Sequence, residues 1–192
     1  MTATPSISAQ LLAEVQGLYD DFVRTMDDVD DERSAARPAA TAPSIGFHLW
    51  HTARWADLFQ ARFPTFAPSL ARLGPKEEIW VRDRVAARWG LEGELGRNDS
   101  GWGLDDDASG ALRLPPPADL LLYAGDAFGA AVGVLAQLAD DELLVETGNI
   151  YGEDEVWLVV DHFSWHLGHG ARHLGMIEAL KGVLGMRGTV TS

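Results

Sequence analysis

Apolar residues recur every three or four positions at the start of the chain, as they do on one face of an α-helix. The members of this stripe are Ile7, Leu11, Val15, Leu18, Phe22 and Met26. Thr4 and Pro5 suit the cap and first turn of such a helix, because proline gives up no hydrogen bond there. The pattern predicts an amphipathic helix that fades into the acidic run near Asp30.

Three later segments show the same period. A second helix is predicted from Ile45 to Pro64, where proline removes a backbone donor and ends the helix. A third is predicted from Ala118 to Leu138, and a fourth from Asp154 to Leu184. The expected core positions of the third helix are Leu121, Leu122, Phe128, Val132 and Leu135. No segment keeps the two-residue alternation of a β-strand for long.

The stretch between the second and third helices is irregular. Residues 76–91, KEEIWVRDRVAARWGL, predict one short helix, whereas residues 93–110 contain too much glycine and aspartate for regular structure. We therefore expect an all-α fold, an antiparallel four-helix bundle with a long irregular excursion at 63–117 between the second and third helices. Residues 1–192 are expected to form a single domain.

Composition narrows the function classes. With 192 residues, 46% of them hydrophobic and 23% charged, the chain has the composition of a soluble globular protein. It shows no signal-peptide pattern and no apolar run that would cross a bilayer, so a cytoplasmic protein without a membrane partner is expected. The net charge of −14 argues against nucleic acid as a partner. The absence of cysteine excludes disulfides, thiolate metal sites and a cysteine nucleophile.

All six histidines fall in two short segments about 110 residues apart. They are His48 and His51 in the second predicted helix, and His162, His166, His169 and His173 in the fourth. On a helix the last four share a stripe about 60° wide, and the first two also project from one face. Imidazole is a common ligand of divalent transition metals, and three histidines from facing helices would leave a coordination position open.

The spacing leaves the ligand set open. One ion cannot bind all four histidines of the stripe, because His162 and His173 lie about 16 Å apart along an α-helix. Two pairs separated by four residues remain, His162 with His166 and His169 with His173, and His48 competes with His51. A single histidine on an apolar helix face is more often a hydrogen-bonded core residue, so the stripe could also be packed polar core in a helical dimer.

Several neighbouring residues admit two interpretations. Arg54 lies near the histidines and could hold an anionic substrate, although a surface salt bridge is commoner for arginine. Gly168, Gly170 and Gly175 interrupt the fourth helix, so they either let another helix approach closely, which we favour, or leave room above the metal. Residues 96–103, GRNDSGWG, look like a glycine-rich phosphate loop but lack the Lys-Ser/Thr ending and a preceding strand.

The segments SIGFHLWHTARWADLF and HGARHLGMIEALKG together resemble the DinB-like superfamily, bacterial metal-binding four-helix bundles that are also found in thiol-dependent transferases. In that family a histidine of the second helix joins a His-x-x-x-His pair of the last helix. Residues 173–177, HLGMI, and 180–182, LKG, match the ending of that pair. The resemblance implies His51, His169 and His173 as metal ligands, with His48, His166 and His162 as alternates.

The resemblance also implies a function. It predicts one divalent metal ion, zinc or nickel, in a metal-dependent transferase, hydrolase or isomerase that acts on a small molecule and uses a low-molecular-weight thiol. The alternative is a non-catalytic, metal-stabilised binding module or a stress-related partner protein. The family and the apolar helix faces are compatible with a homodimer.

Overall fold

The computed structural model describes residues 6–91, 93–148 and 155–189, and these residues are mostly helical. The helices are α1 (Ile7–Met26), α2 (Asp31–Ala35), α3 (Ile45–Arg62), α4 (Ile79–Arg82), α5 (Val85–Arg88), α6 (Asp106–Ala111), α7 (Pro117–Leu135) and α8 (Val159–Val183). Short 3-10 turns occupy Phe63–Thr65, Pro68–Leu73 and Glu142–Leu144. Two three-residue strands, β1 (Glu146–Gly148) and β2 (Val156–Leu158), pair in antiparallel orientation.

The four long predicted helices are confirmed as α1, α3, α7 and α8, and local chemistry explains where three of them begin. The Ser6 and Ser44 side chains accept hydrogen bonds from backbone amides three residues further on, and so cap α1 and α3. Pro117 occupies the first turn of α7, as predicted. The predicted cap at Thr4 and Pro5 lies outside the described residues.

The last helix begins later than predicted because a strand precedes it. Residues 156–158 form β2, with Thr147 of β1 opposite Trp157, and α8 starts only at Val159. The predicted start at Asp154 lies outside the described residues. Strands of three residues are too short to show a two-residue alternation, which is why the sequence pattern did not predict this small sheet.

The single short helix predicted over residues 76–91 is wrong. The segment contains two one-turn helices, α4 and α5, and Arg84 between them adopts a left-handed backbone conformation with φ of 50°. A non-glycine residue with this φ interrupts the right-handed helix, so the apolar period across the segment spans a turn. Both short helices belong to the long connection between α3 and α7.

Each long helix contacts two others, and residue pairs give their relative directions. α1 and α7 run in opposite directions, because Ser8 bonds to Asp140 just beyond the end of α7 while Tyr19 reaches the Leu121 carbonyl near its start. The α3 and α8 helices also run in opposite directions. His48 meets His173, and further along α3 the Phe59 ring packs on Phe163.

The α1 and α8 helices run in the same direction, with Leu18 against Gly170 and the Thr25 hydroxyl donating to Glu178. It follows that α3 and α7 are also parallel. The antiparallel order expected from the sequence therefore holds for two of the four contacting pairs. Because parallel neighbours need a connection that returns along their length, residues 63–116 must cross back before α7 can begin.

The α7 helix is apolar around most of its circumference. By length and mean hydropathy, 1.4 over 18 residues, Pro117–Leu135 is the one described helix that could cross a membrane, which the sequence pattern did not predict. Because α1 and α3 pack against it, 44% of that window is buried inside the protein. Leu122, an expected core residue, is 65% exposed, since the period of a largely apolar helix does not single out one face.

Candidate metal centre

Three histidine side chains converge where α3 crosses α8. The Nε2 atom of His169 lies 3.2 Å from Nε2 of His51 and 3.1 Å from Nε2 of His173. Each of the three histidines offers a nitrogen within 4.8 Å of the other two. The i, i+4 spacing on α8 and the facing position on α3 therefore bring these three predicted residues together.

The spacing of the nitrogens fits a divalent metal ion. Zinc binds imidazole nitrogen at about 2.0–2.1 Å, so two ligands of a tetrahedral site lie about 3.4 Å apart. The two short separations, 3.1 and 3.2 Å, are close to that edge length. Within the described part of the chain, no further His, Asp or Glu offers an atom within 4.8 Å of all three. The group can hold an ion with three protein ligands.

A backbone carbonyl fixes the orientation of His51. The Nδ1 atom of His51 donates to the Ser100 carbonyl, because a carbonyl oxygen can only accept. The proton of the neutral ring is thus on Nδ1, and Nε2 carries the lone pair that a metal needs. The Phe47 ring stacks on His51 at 5.9 Å between centroids with an interplanar angle of 11°. The His51 ring is therefore held by a hydrogen bond at Nδ1 and by stacking on Phe47.

His48 supports His173 and does not join the three-histidine group. The Nδ1 atoms of His48 and His173 lie 2.8 Å apart, a hydrogen bond in which one ring donates and the other accepts. If His173 presents an unprotonated Nε2 to a metal, its proton lies on Nδ1, so His173 donates and His48 accepts. The predicted alternate ligand His48 is therefore placed as the hydrogen-bond partner of a ligand.

Aromatic packing holds His169. Its ring stacks on Trp165 at 4.7 Å between centroids, with the planes 10° from parallel, and Trp55 meets its edge at 6.0 Å. The Nδ1 atom of His169 is buried with no hydrogen-bond partner among the described residues. A buried nitrogen without a partner is costly, and the convergence of Nε2 atoms gives this ring its polar contacts on the other side.

Burial keeps the three rings neutral. It lowers the pKa of His169 to about 3 and that of His173 to about 2, and repulsion from neighbouring histidines and from Arg172 adds to the effect. Burial also lowers the pKa of His51, against the hydrogen bond to Ser100. A histidine binds a metal through the nitrogen that carries no proton in the neutral ring, so these three residues are available as ligands at neutral pH.

The other two histidines of the α8 stripe lie elsewhere. The Nε2 atom of His162 is 2.7 Å from the Thr147 hydroxyl of β1. His166 is 2% exposed and stacks on Phe59 at 5.5 Å with an interplanar angle of 6°. Both predicted alternates are thus placed in the apolar first half of α8, facing aromatic residues of α3 and the turn after it. The structure does not bring them to the three-histidine group.

Arg54 has a different role from either one expected. Its side chain is 1% exposed, and its guanidinium donates to Asp57, Glu78 and the Tyr123 hydroxyl. It also donates to the backbone carbonyls of residues 98 and 99. This buried arginine links α3, α7 and the long connection between them. It also holds residues 98 and 99, which directly precede the Ser100 carbonyl that orients His51. It is therefore neither a substrate anchor nor a surface salt bridge.

The glycine-rich segment at 96–103 is a tight loop pressed against α3. Asn98 and Asp99 adopt left-handed conformations with φ of 57° and 51°. Gly101 has φ of 82°, and a Cβ there would lie 2.6 Å from Phe47, so the close approach needs glycine. Sequence reasoning missed this loop as part of the site. Its glycines signal a turn, but the Ser100 contact is made by a backbone carbonyl and has no sequence signature.

A cavity of about 560 Å³ lies beside the histidines. His48, His51 and His173 contribute to its lining, and Trp102 and Met176 are among the apolar residues that complete it. Phe47 also lines a second cavity of about 330 Å³, to which no histidine contributes. The three-histidine group therefore adjoins the larger cavity, from which a small molecule could reach it.

Comparison with known proteins shows what this chain resembles. A crystal structure of a conserved protein of a locus from Enterococcus faecalis superposes with a TM-score of 0.76 at 14% sequence identity. The match covers 95% of this chain and 99% of that chain, and at this identity it shows a shared fold. No curated protein matches the sequence. The family model of the DinB superfamily matches residues 14–177 of the 192. The chain therefore belongs to the DinB superfamily.

Proposed function

We propose that this protein is a metal-dependent enzyme that binds one divalent ion, zinc or nickel, through His51, His169 and His173. The observation that carries the proposal is the convergence of three neutral imidazole nitrogens beside a cavity. An ion bound there would supply Lewis-acid activation of a water molecule or a thiol. Transferase or hydrolase chemistry with a small-molecule substrate, and with a low-molecular-weight thiol as cosubstrate, fits such a site.

The number of protein ligands favours catalysis over a purely structural role. Structural zinc sites are closed by four protein ligands, whereas catalytic sites keep one position open. Among the residues that the structure describes, the group contains three histidines and no fourth ligand. The alternative, a non-catalytic metal-stabilised binding or stress-related module, would gain support from a fourth ligand, and none of the described residues supplies one.

The chain's own residues prepare the site in three ways. The Ser100 carbonyl and His48 hold His51 and His173 with their Nε2 atoms directed into the group. Stacking on Trp165 fixes the plane of His169. Burial keeps all three rings neutral. Each contribution reduces the reorganisation needed for metal binding, since ligands held in place lose less freedom when the ion binds.

The proposed architecture is one bundle of α1, α3, α7 and α8. Each helix packs on two others, which supports a closed arrangement. That residues 1–192 form a single domain stays a prediction, as do a cytoplasmic location, a homodimer and the lack of nucleic-acid and membrane partners. The composition that motivates them is the net charge of −14 and the ordinary hydrophobic content.

Metal analysis of protein purified without a histidine tag tests the site. We expect about one equivalent of metal in the wild type, and loss of most of it in a His169→Ala, His173→Ala double variant. The matched control is His162→Gln, which changes a histidine of the same helix outside the group and should keep its metal. Circular dichroism checks that each variant is folded. The proposal would be wrong if the wild type held no stoichiometric metal and the double variant showed no change in metal affinity.

A further inference from the structure

The cavity beside the three-histidine group is apolar apart from the histidines. Its other lining residues are Ala42, Pro43, Phe47, Gly101, Trp102, Gly103, Met176, Ala179 and Leu180. None of these carries a charge. At about 560 Å³ the cavity has the size of an ordinary small-molecule site, and three histidines belong to its lining. The lining therefore combines an uncharged, mostly apolar surface with imidazole groups.

Arg54 and Arg97 lie near the site but do not add charge to the cavity lining. Arg54 is buried, and its donors already bind carboxylates, a phenol and backbone carbonyls. The Arg97 guanidinium lies 4.2 Å from the centre of the Trp102 ring, outside the set of lining residues. By contrast, the second cavity has Asp31, Arg37 and Arg113 in its wall. The two cavities thus differ in the charge of their linings.

A charged group entering this cavity would lose water and find no charged partner in its wall, which costs free energy. An apolar group would gain by displacing water from Trp102 and Leu180. Met176, which is 40% exposed, can adapt to the shape of such a group because its side chain is flexible. The apolar lining residues therefore favour apolar groups, and a metal ion held by the histidines would select a ligand by coordination.

We propose that the substrate is a molecule with a neutral apolar body, aromatic or branched aliphatic, and a metal-binding donor group at one end. This inference rests on the proposed function, because the donor group needs an ion at His51, His169 and His173. The body would occupy the space between Phe47 and Leu180 while the donor faces the histidines. A cosubstrate that is recognised mainly by its carboxylates does not fit this wall.

The test uses zinc-loaded protein and three hydroxamates that share one donor group. Acetohydroxamate has almost no body, benzohydroxamate has an apolar ring, and 4-carboxybenzohydroxamate has the same ring with a charge at its far end. We expect benzohydroxamate to bind about tenfold more tightly than acetohydroxamate, and the carboxylated probe to lose that gain. Isothermal titration calorimetry measures all three affinities.

A variant in the cavity wall sharpens the test. Met176→Arg adds a cation to the lining and should reverse the order of the two aromatic probes, while acetohydroxamate binding stays unchanged. Val183→Arg is the matched control, because it places the same residue on α8 at a position that is 68% exposed and outside the lining. It should leave the order of the probes as in the wild type.

The outcomes separate the two proposals. Failure of acetohydroxamate to bind the zinc-loaded protein would overturn the proposed open metal site, and the substrate inference with it. Acetohydroxamate binding without a gain for benzohydroxamate would overturn the substrate inference alone. Tighter binding of the carboxylated probe to the wild type would also overturn it, and would point to Arg97 as an anion partner.

Discussion

At the scale of single residues, the site depends on groups that do not touch a metal. His51 presents Nε2 because its other nitrogen is bound to the Ser100 carbonyl, and that carbonyl is in place because Arg54 holds residues 98 and 99. The guanidinium is planar and offers five donors, which no other side chain reproduces. Arg54 thus links a buried ion-pair network to the orientation of a proposed ligand.

Arg54→Lys should therefore damage stability and metal binding together. Lysine keeps the charge but cannot reach Asp57, Glu78 and the two carbonyls at once. We expect the free energy of unfolding to fall by about 3 kcal/mol, as when a buried ion pair is broken, and zinc affinity to fall about tenfold or more. Urea unfolding and a competitive zinc titration measure the two effects.

The control for this prediction is Arg82→Lys, in which the changed residue is exposed and forms an ion pair with its neighbour Asp83. It should leave both quantities near the wild-type values, since solvent screens such a pair. If Arg54→Lys remained folded with unchanged zinc affinity, the carbonyl held by Arg54 would not be what orients His51.

At the scale of elements, the histidine spacing predicted the meeting of α3 and α8 but could not choose the register. The pairs His162/His166 and His169/His173 have the same helical period, so the sequence left both open. What separates them is the facing residue on the other element. His169 and His173 meet His51, whereas His166 meets Phe59. Which pair faces His51 depends on tertiary packing, and the helical spacing of the histidines carries no information about that packing.

The glycines of α8 also show that the sequence alone did not predict which residues pack against another helix. Close packing was expected at all three, but only at Gly170 does a neighbour crowd the position, where a Cβ would lie 2.5 Å from Leu18 of α1. At Gly168 and Gly175 a Cβ would meet nothing within 4 Å. The expectation is correct for the residue that faces α1 and wrong for the two that face away from other elements.

Replacing these glycines separately should give different results. Gly168→Ala should raise the free energy of unfolding by up to about 1 kcal/mol, because alanine favours the helix and the added methyl meets open space. Gly170→Ala should gain less or lose stability, because Leu18 must move to admit the methyl group. Urea unfolding of the two variants measures the difference. Equal stabilisation of both would mean that α1 and α8 do not pack closely at Gly170.

At the scale of the whole molecule, helix direction explains why the long connection reaches the site. Since α3 and α7 are parallel, residues 63–116 return along the molecule, and on the way the loop at 96–103 passes α3 at Phe47 and His51. The sequence predicted this stretch as irregular apart from one short helix. Yet it supplies the carbonyl that orients His51 and the Trp102 wall of the cavity. The topology thus places an irregular segment beside the three-histidine group of two helices.

The whole molecule also has a buried titratable group that metal binding does not use. His166 is 2% exposed between Phe59 and Phe128, and burial lowers its pKa to about 4. The unfolded chain has an ordinary histidine with a pKa near 6.5. Between these values the unfolded state binds a proton that the folded state does not. The stability contribution is therefore complete above pH 6.5 and is lost as the pH falls towards 4.

This linkage predicts the acid sensitivity of the metal-free protein. In the window from pH 6.5 to 4, His166 should cost up to about 1.4 kcal/mol of stability per pH unit, or about 3 kcal/mol in all. Urea unfolding with EDTA at several pH values measures the slope, and His166→Leu should reduce it by about that amount. Leu167→Met, a change of similar volume at the next residue, should shift the curve without changing its slope. Parallel curves for wild type and His166→Leu would show that protonation of His166 does not oppose folding, because removing a histidine that stays neutral only in the folded core must reduce the slope.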